Sequence, residues 1–336
     1  MNIEQAEDTH IRATARGKVS LVIPVYNEGE GLQCLREALL PLLDNAMTLL
    51  PDGRRVRPYD WEVLLVNDGS RDNSLEIMRG LHASDPRFCY LSLSRNFGKE
   101  AAMLAGLDYA TGDCVVIMDA DLQHPIEAIP RMIAEWEAGY DDVYGRRASR
   151  GKESLLRRKL SLAYYRILQS ASEIDVMPNV GDFRLLDRRC VDALRSLREP
   201  QRYSKGLFAW IGYSKKDVEF STRDRREGQS SFNYLRLFNF AIEGLTSHST
   251  APLRIASVVG FATAFLAFVY LVVIVVRTLL YGDPVAGFPT LICVILLLGG
   301  LQLCAIGILG EYIGRIFKET KRRPVYIADI YNDRKV

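Results

Sequence analysis

Short apolar runs and helical patterns alternate through the first 150 residues. Residues 19–25 are apolar and β-branched and end at Pro24-Val25-Tyr26-Asn27-Glu28. Leu32, Leu35, Leu39 and Leu43 then recur at helical spacing. Residues 61–66 predict a second strand, closed by Asn67-Asp68-Gly69-Ser70, with Ser70 capping a helix that runs to Leu81. Residues 89–93 predict a third strand and residues 98–110 an Ala-rich helix. Residues 114–118 predict a fourth strand, ending on Asp119-Ala120-Asp121. Pro125 opens another helix, and residues 142–144 read as a brief fifth strand. Apolar strands separated by amphipathic helices predict an α/β fold, a mostly parallel sheet covered by helices on both faces. In such sheets ligands bind at the carboxyl ends of the strands. Residues 1–17 read as a polar arm, and residues 49–59, with Pro51, Gly53 and Pro58, as a surface loop.

The pattern changes near residue 255. Residues 255–276 and 286–310 are uncharged runs of 22 and 25, each long enough to cross a bilayer as a helix. The link, residues 277–285, holds Gly282, Asp283 and Pro284 and predicts a tight hairpin turn. Arg225, Arg226, Arg236 and Arg254 precede the first run; Arg315, Lys318, Lys321, Arg322 and Arg323 follow the second. The positive-inside rule then places both flanks in the cytoplasm, giving a two-span inner-membrane protein with both termini and the soluble part cytoplasmic. The expected organisation is a soluble domain over 18–230, an interfacial helix over 231–254, the two spans, and a basic tail over 311–336. Gly299, Gly300, Gly307 and Gly310 offer close-packing surfaces and leave room for a homo-oligomer.

Composition conceals this division. The chain has 336 residues with 43 Lys+Arg against 41 Asp+Glu, which excludes a strongly basic nucleic-acid binder. Yet 82 of its 84 charges lie outside residues 255–310. The six cysteines are scattered without a C-x-x-C pair, which fits a reducing compartment and argues against a metal cluster. No apolar run of signal-peptide type occupies the first 20 residues.

The acids at the strand ends are the candidate chemistry. Asp119 and Asp121 have the spacing for a hard divalent cation that leaves positions open for phosphate oxygens; a solvated turn is the alternative. Glu28 caps a helix or joins the site, and Asp68 braces its own turn or joins it. His124 is a ligand or a structural hydrogen-bonding group. Residues 146–159 hold Arg146, Arg147, Arg150, Lys152, Arg157, Arg158 and Lys159 against Glu153, either a basic helix at a lipid surface or a solvated one.

Four motifs in order, Pro24-Val25-Tyr26-Asn27-Glu28, Asn67-Asp68-Gly69-Ser70, Ser94-Arg95-Asn96-Phe97-Gly98-Lys99-Glu100 and Asp119-Ala120-Asp121-Leu122-Gln123, resemble the family 2 glycosyltransferases of GT-A fold. The resemblance covers about residues 17–250 and is greatest to the dolichol-phosphate mannose synthase-like branch, with its bacterial undecaprenyl-phosphate glycosyltransferases. Paired C-terminal spans also occur there. The resemblance implies a nucleotide-sugar pocket at Pro24, Tyr26, Glu28, Val66, Asp68, Lys99 and Ala120. It implies a metal and diphosphate site for Mg²⁺ or Mn²⁺ at Asp119, Asp121 and Gln123. Arg147 and Arg226 match arginines of the phosphate sites, and Arg157, Arg158 and Arg202 are further candidates for the acceptor phosphate. The segment Arg226-Glu227-Gly228-Gln229-Ser230 is followed by Ser231, where dolichol-type members often have Lys. Asp182 matches a position near sugar and acceptor; it orients the sugar, takes a late proton, or pairs with Arg184.

The activity so implied is inverting, metal-dependent transfer of a sugar from a nucleotide-diphospho-sugar, UDP-glucose first, to a polyprenyl phosphate in the membrane. Two rivals stand beside it. A processive synthase would carry Q-x-x-R-W, which this sequence lacks. A non-catalytic, membrane-anchored binding or scaffold protein would be expected to have lost a metal acid.

Overall fold

In the computed structural model, residues 17–44, 48–50, 52–147, 180–199, 202, 204–220, helical positions between 259 and 280, and 287–336 are described. Two compact units emerge. One comprises residues 1–165, 174–231 and 324–336, the other residues 166–173 and 232–323.

The first unit is built on β1 (Lys18–Val25), whose alternate residues face opposite sides of the sheet. Leu21 and Ile23 enter one apolar cluster with Leu32, Leu35 and Leu39 of α1 (Gly29–Asp44). Val22 enters the other, against α3 (Lys99–Tyr109). A small ribbon, β2 (Thr48–Leu49) and β3 (Arg55–Val56), occupies the expected surface loop, and Leu50, Val56 and Tyr59 within that segment are buried. β4 (Asp60–Asn67), α2 (Ser74–Ser84) and β5 (Phe88–Leu93) follow on one side of β1. After α3 the chain crosses to the other side as β6 (Cys114–Ile117). A 3₁₀ turn (Ile126–Ala128) and α4 (Ile129–Glu137) complete this half. β5, β4, β1 and β6 are mutually parallel, as the apolar runs predict.

Beyond β6 the sheet turns mixed. β7 (Asp142–Arg147) is longer than its sequence pattern suggests. β8 (Val180–Asp187) inserts between β6 and β7, antiparallel to both, and β9 (Lys215–Phe220) runs parallel to β7. Helices α5 (Arg188–Ser196) and α6 (Ser204–Trp210) separate β8 from β9.

In the second unit, α7 (Phe288–Thr320) spans 33 residues, and its stretch Leu297–Thr320 is long and apolar enough to cross a membrane. The chain after it departs from the expected basic tail. Residues 328–335 form β10 (Ala328–Tyr331) and β11 (Arg334–Lys335), and β10 pairs antiparallel with β5. The nine-stranded order is β11-β10-β5-β4-β1-β6-β8-β7-β9. Tyr90 explains the docking: its N–H donates to Asn332 Oδ1 at 2.8 Å, and its hydroxyl donates to Asp333 Oδ1 at 2.5 Å. The run of basic residues before β10, Lys318, Lys321, Arg322 and Arg323, draws the eye from these contacts.

Candidate active site

Strand order reverses between β1 and β6, and in open α/β sheets ligands bind outside the carboxyl ends of the strands at such a point. Three loops meet there, and the motif residues largely hold them to one another. Asn27, left-handed at φ 55°, donates its N–H to Ser70 Oγ at 3.0 Å, and its Oδ1 accepts from Arg71 N–H at 2.8 Å. Ser70 therefore latches two loops and does not cap α2. Asp72 braces the start of that helix instead, accepting from Ser74 N–H at 3.1 Å and Gly29 N–H at 3.0 Å. Gly69, at φ +64°, lies so close to the next loop that a Cβ would fall 2.4 Å from the Arg95 carbonyl carbon. No side chain fits that approach.

Asp68 is buried and divides its carboxylate between two amides. Oδ1 accepts from Phe97 N–H at 2.7 Å, and Oδ2 from Gly98 N–H at 2.9 Å. Burial pushes its carboxyl above the ordinary value, although both amides and the nearby Arg95 oppose this. Pro24 is half-buried, whereas Tyr26 and Glu28 are exposed at the mouth. Val66, which the resemblance places with the nucleotide-pocket residues, has a fully buried side chain, with Cγ2 3.2 Å from the Cβ that Gly106 of α3 lacks. Its side chain belongs to the core because it lies on the helix-covered face of β4.

β6 ends at Ile117, so Asp119 and Asp121 stand in a turn rather than on one face of an extended strand. Leu122, left-handed at φ 55°, reverses the chain, and Gln123 N–H donates to Asp121 Oδ1 at 3.1 Å. His124 then lies beside both acids, its ring stacked 4.7 Å from Phe183 and edge-on to Phe220 at 6.0 Å. Donor atoms of Asp119, Asp121 and His124 all lie within 4.8 Å of one another. Two carboxylates and an imidazole at this spacing fit a divalent cation such as Mn²⁺ or Mg²⁺. Asp119 and Asp121 thus come together as expected, and His124 joins them. Its signal in the sequence was its place three residues after Asp121. The Gln123 Nε2 is buried without a hydrogen-bond partner among the described residues.

Lys99 and Asp182 complete the cluster. Lys99 Nζ lies 2.6 Å from Asp119 Oδ1 and 2.7 Å from Asp182 Oδ2. Burial lowers the ammonium's affinity for its proton, but the two carboxylates outweigh burial and raise it. For Asp182 burial pushes upward, and Lys99 outweighs it and holds the carboxyl below its ordinary value. The alternative pairing of Asp182 with Arg184 does not form. Arg184 turns into the core to meet Asp142, because Asp142 is fully buried and needs a cation.

Arg202 is half-buried, its guanidinium donating to the Leu197 carbonyl. Glu100, next to Lys99, accepts from Ser204 N–H at 3.2 Å and so fixes the start of α6 to α3. Arg146 is spent on Asp217, at 2.9 Å, and on Glu219. Arg147 lies in β7, paired in register with Phe220, but its side chain is outside the described residues. Arg157, Arg158, Arg226 and the expected interfacial helix over 231–254 also lie outside them, as does most of residues 255–276.

Residues 20–195 match glycosyl transferase family 2. The chain belongs to that family. This glycosyltransferase also matches the GtrB C-terminal hairpin over residues 251–316. A bactoprenol glucosyl transferase of Shigella phage SfX is 42% identical over 310 residues, covering 92% of this chain and 98% of its own. A prophage bactoprenol glucosyl transferase homolog of Escherichia coli (strain K12) is 41% identical with the same coverage, 92% and 98%. Among solved structures, glucosyl-3-phosphoglycerate synthase from Mycobacterium tuberculosis aligns with a TM-score of 0.45 and 20% identity, covering 72% of this chain and 83% of that one. A mannosyltransferase from Pyrobaculum calidifontis in complex with GDP-Man and Mn²⁺ aligns at 0.44 and 14%, covering 92% and 89%.

Proposed function

We propose that this glycosyltransferase moves glucose from UDP-glucose to a polyprenyl phosphate, undecaprenyl phosphate first, at the cytoplasmic membrane face, inverting the anomeric centre. The observation that carries the reading is the convergence of Asp119, Asp121 and His124 at the switch point of the sheet. Near-full-length identity to bactoprenol glucosyl transferases supports the acceptor class.

An oxygen of the acceptor phosphate attacks the anomeric carbon while the bond from that carbon to the donor's diphosphate oxygen breaks. A phosphate monoester is already ionised near neutral pH, so the protein needs no strong base. Its task is to hold two anions together. Asp119, Asp121 and His124, with Gln123, would hold the divalent cation. Bound there, that cation supplies neutralisation of the leaving diphosphate. The unsatisfied Gln123 amide offers a donor that a diphosphate oxygen would satisfy. Pro24, Tyr26 and Glu28 line the nucleotide's approach, with Asp68 shaping the wall through Phe97 and Gly98. Arg147, Arg157, Arg158, Arg202 and Arg226 are assigned to the acceptor phosphate, for which guanidinium geometry is suited. The catalytic domain covers 18–230, and residues 255–276 and 286–310 anchor it as a hairpin.

Transfer of label from UDP-glucose to undecaprenyl phosphate in lipid, with Mg²⁺ or Mn²⁺, tests this reading. No transfer to the lipid fraction from any nucleotide sugar would overturn it. Asp121→Asn is expected to lose at least 100-fold in turnover, as about 3 kcal/mol of transition-state stabilisation implies.

A further inference from the structure

The residue that the proposed metal site does not explain is Lys99. Its ammonium contacts Asp119, one of the three residues that converge to hold a cation, at 2.6 Å. It contacts Asp182, which is not one of the three, at 2.7 Å. The other Asp182 oxygen is buried with no hydrogen-bond partner among the described residues. Asp182 therefore spends its charge on Lys99, and Lys99 divides its own between two acids. It enters from the first turn of α3, while its partners stand after β6 and on β8.

Two cations cannot use one carboxylate oxygen at hydrogen-bonding distance without repelling each other. A metal that takes Asp119 Oδ1 therefore competes with the ammonium for it, and the ammonium, when displaced, stays tethered to Asp182. A metal that comes alone takes the Asp119 contact from the ammonium and leaves it only Asp182 of its two carboxylates. The lost contact is replaced when a diphosphate comes with the metal, because a diphosphate supplies oxygens for both cations.

We propose that Lys99 is an exchange cation: it holds Asp119 while the donor is absent, and it makes metal binding dependent on simultaneous binding of a diphosphate. The site then discriminates against free metal and favours the metal–nucleotide pair. Asp182 is the positioning residue that keeps the ammonium within reach of the incoming phosphates. This inference rests on the metal reading given above and adds the coupling between the two ligands. Such coupling is reciprocal, so the metal tightens UDP by the same factor as UDP tightens the metal.

The test is Mn²⁺ binding to the full-length protein in lipid nanodiscs, followed by electron paramagnetic resonance, with and without UDP. Wild-type protein is expected to bind Mn²⁺ at least 10-fold more tightly when UDP is present. Lys99→Met is expected to bind Mn²⁺ alone about 10-fold more tightly than wild type, and UDP should then add little. Lys99→Arg keeps the charge and should keep the wild-type dependence on UDP. Lys99→Gln gives the same reading as Lys99→Met if the latter melts early. Unchanged or weaker Mn²⁺ binding in both neutral variants, with wild-type binding intact in UDP, would overturn the exchange role alone. Failure of wild-type protein to bind Mn²⁺ under either condition would overturn the metal reading and the exchange role together.

Discussion

Arg184 and Asp142 show how single side chains divide between holding the sheet and serving the site. Their contacts at 3.2 and 3.0 Å bury both charges between β7 and β8, and the guanidinium lies 3.6 Å from the Phe208 ring centroid. Asp142→Ala strands a buried guanidinium and is expected to cost about 3–5 kcal/mol in denaturant unfolding, with Arg184→Met/Asp142→Leu costing much less. Glu62 is a second structural acid. It accepts from Ser20 Oγ at 2.5 Å, Thr111 N–H at 2.9 Å, Thr111 Oγ1 at 2.9 Å and Lys18 Nζ at 3.1 Å. Burial pushes its carboxyl upward, but these donors together hold it below the ordinary 4.5. A folded value below the unfolded one means the unfolded chain binds the proton more readily. The stabilisation is therefore complete above pH 4.5 and is lost as the pH falls through the depressed folded value. Thermal melting of wild type should accordingly fall more steeply in acid than that of Glu62→Gln. Asp119, Asp121 and Asp68 were legible from the sequence because each follows an apolar strand. The Lys99–Asp182 pair was not, because 83 residues separate its members and only the folded sheet joins them.

At the level of elements, alternation of apolar runs and helices gives the parallel half of the sheet directly, from β1 through β6. The antiparallel half is less visible. β8 carries Asp182, Arg184 and Asp187 among its apolar residues, and those charges become acceptable only once Lys99, Asp142 and Trp136 meet them. β10 and β11 are short, and β5, the strand that β10 joins, lies more than 200 positions earlier. Tyr90→Phe removes the hydroxyl that Asp333 both accepts from and donates to, at 2.5 and 2.9 Å. It is expected to cost about 1–2 kcal/mol in thermal or denaturant unfolding. Deleting residues 324–336 should release more, and hydrogen exchange should then accelerate in β5, whose outer edge loses its cover.

Taken whole, the sequence joins a charged catalytic unit to a segment with two charges between residues 255 and 310. The match to the GtrB C-terminal hairpin over residues 251–316 fits that division and suggests membrane association. A reporter inserted within residues 281–284 is expected to read as periplasmic if both flanks are cytoplasmic; a cytoplasmic signal would reverse the proposed topology. Chelation should abolish transfer and added Mn²⁺ or Mg²⁺ restore it, without loss of the folded sheet, since the core strands are held by apolar packing rather than by the acids at their ends. The hairpin of β10 and β11 also bears on how the protein is made. Translation delivers β1 to β9 first, then the two apolar segments, and only afterwards the strands that cover β5. During synthesis the catalytic sheet therefore waits with an open edge while residues 255–323 are still being made. A ribosome that stalls in the hairpin leaves a nascent chain whose oldest domain still lacks its newest strand.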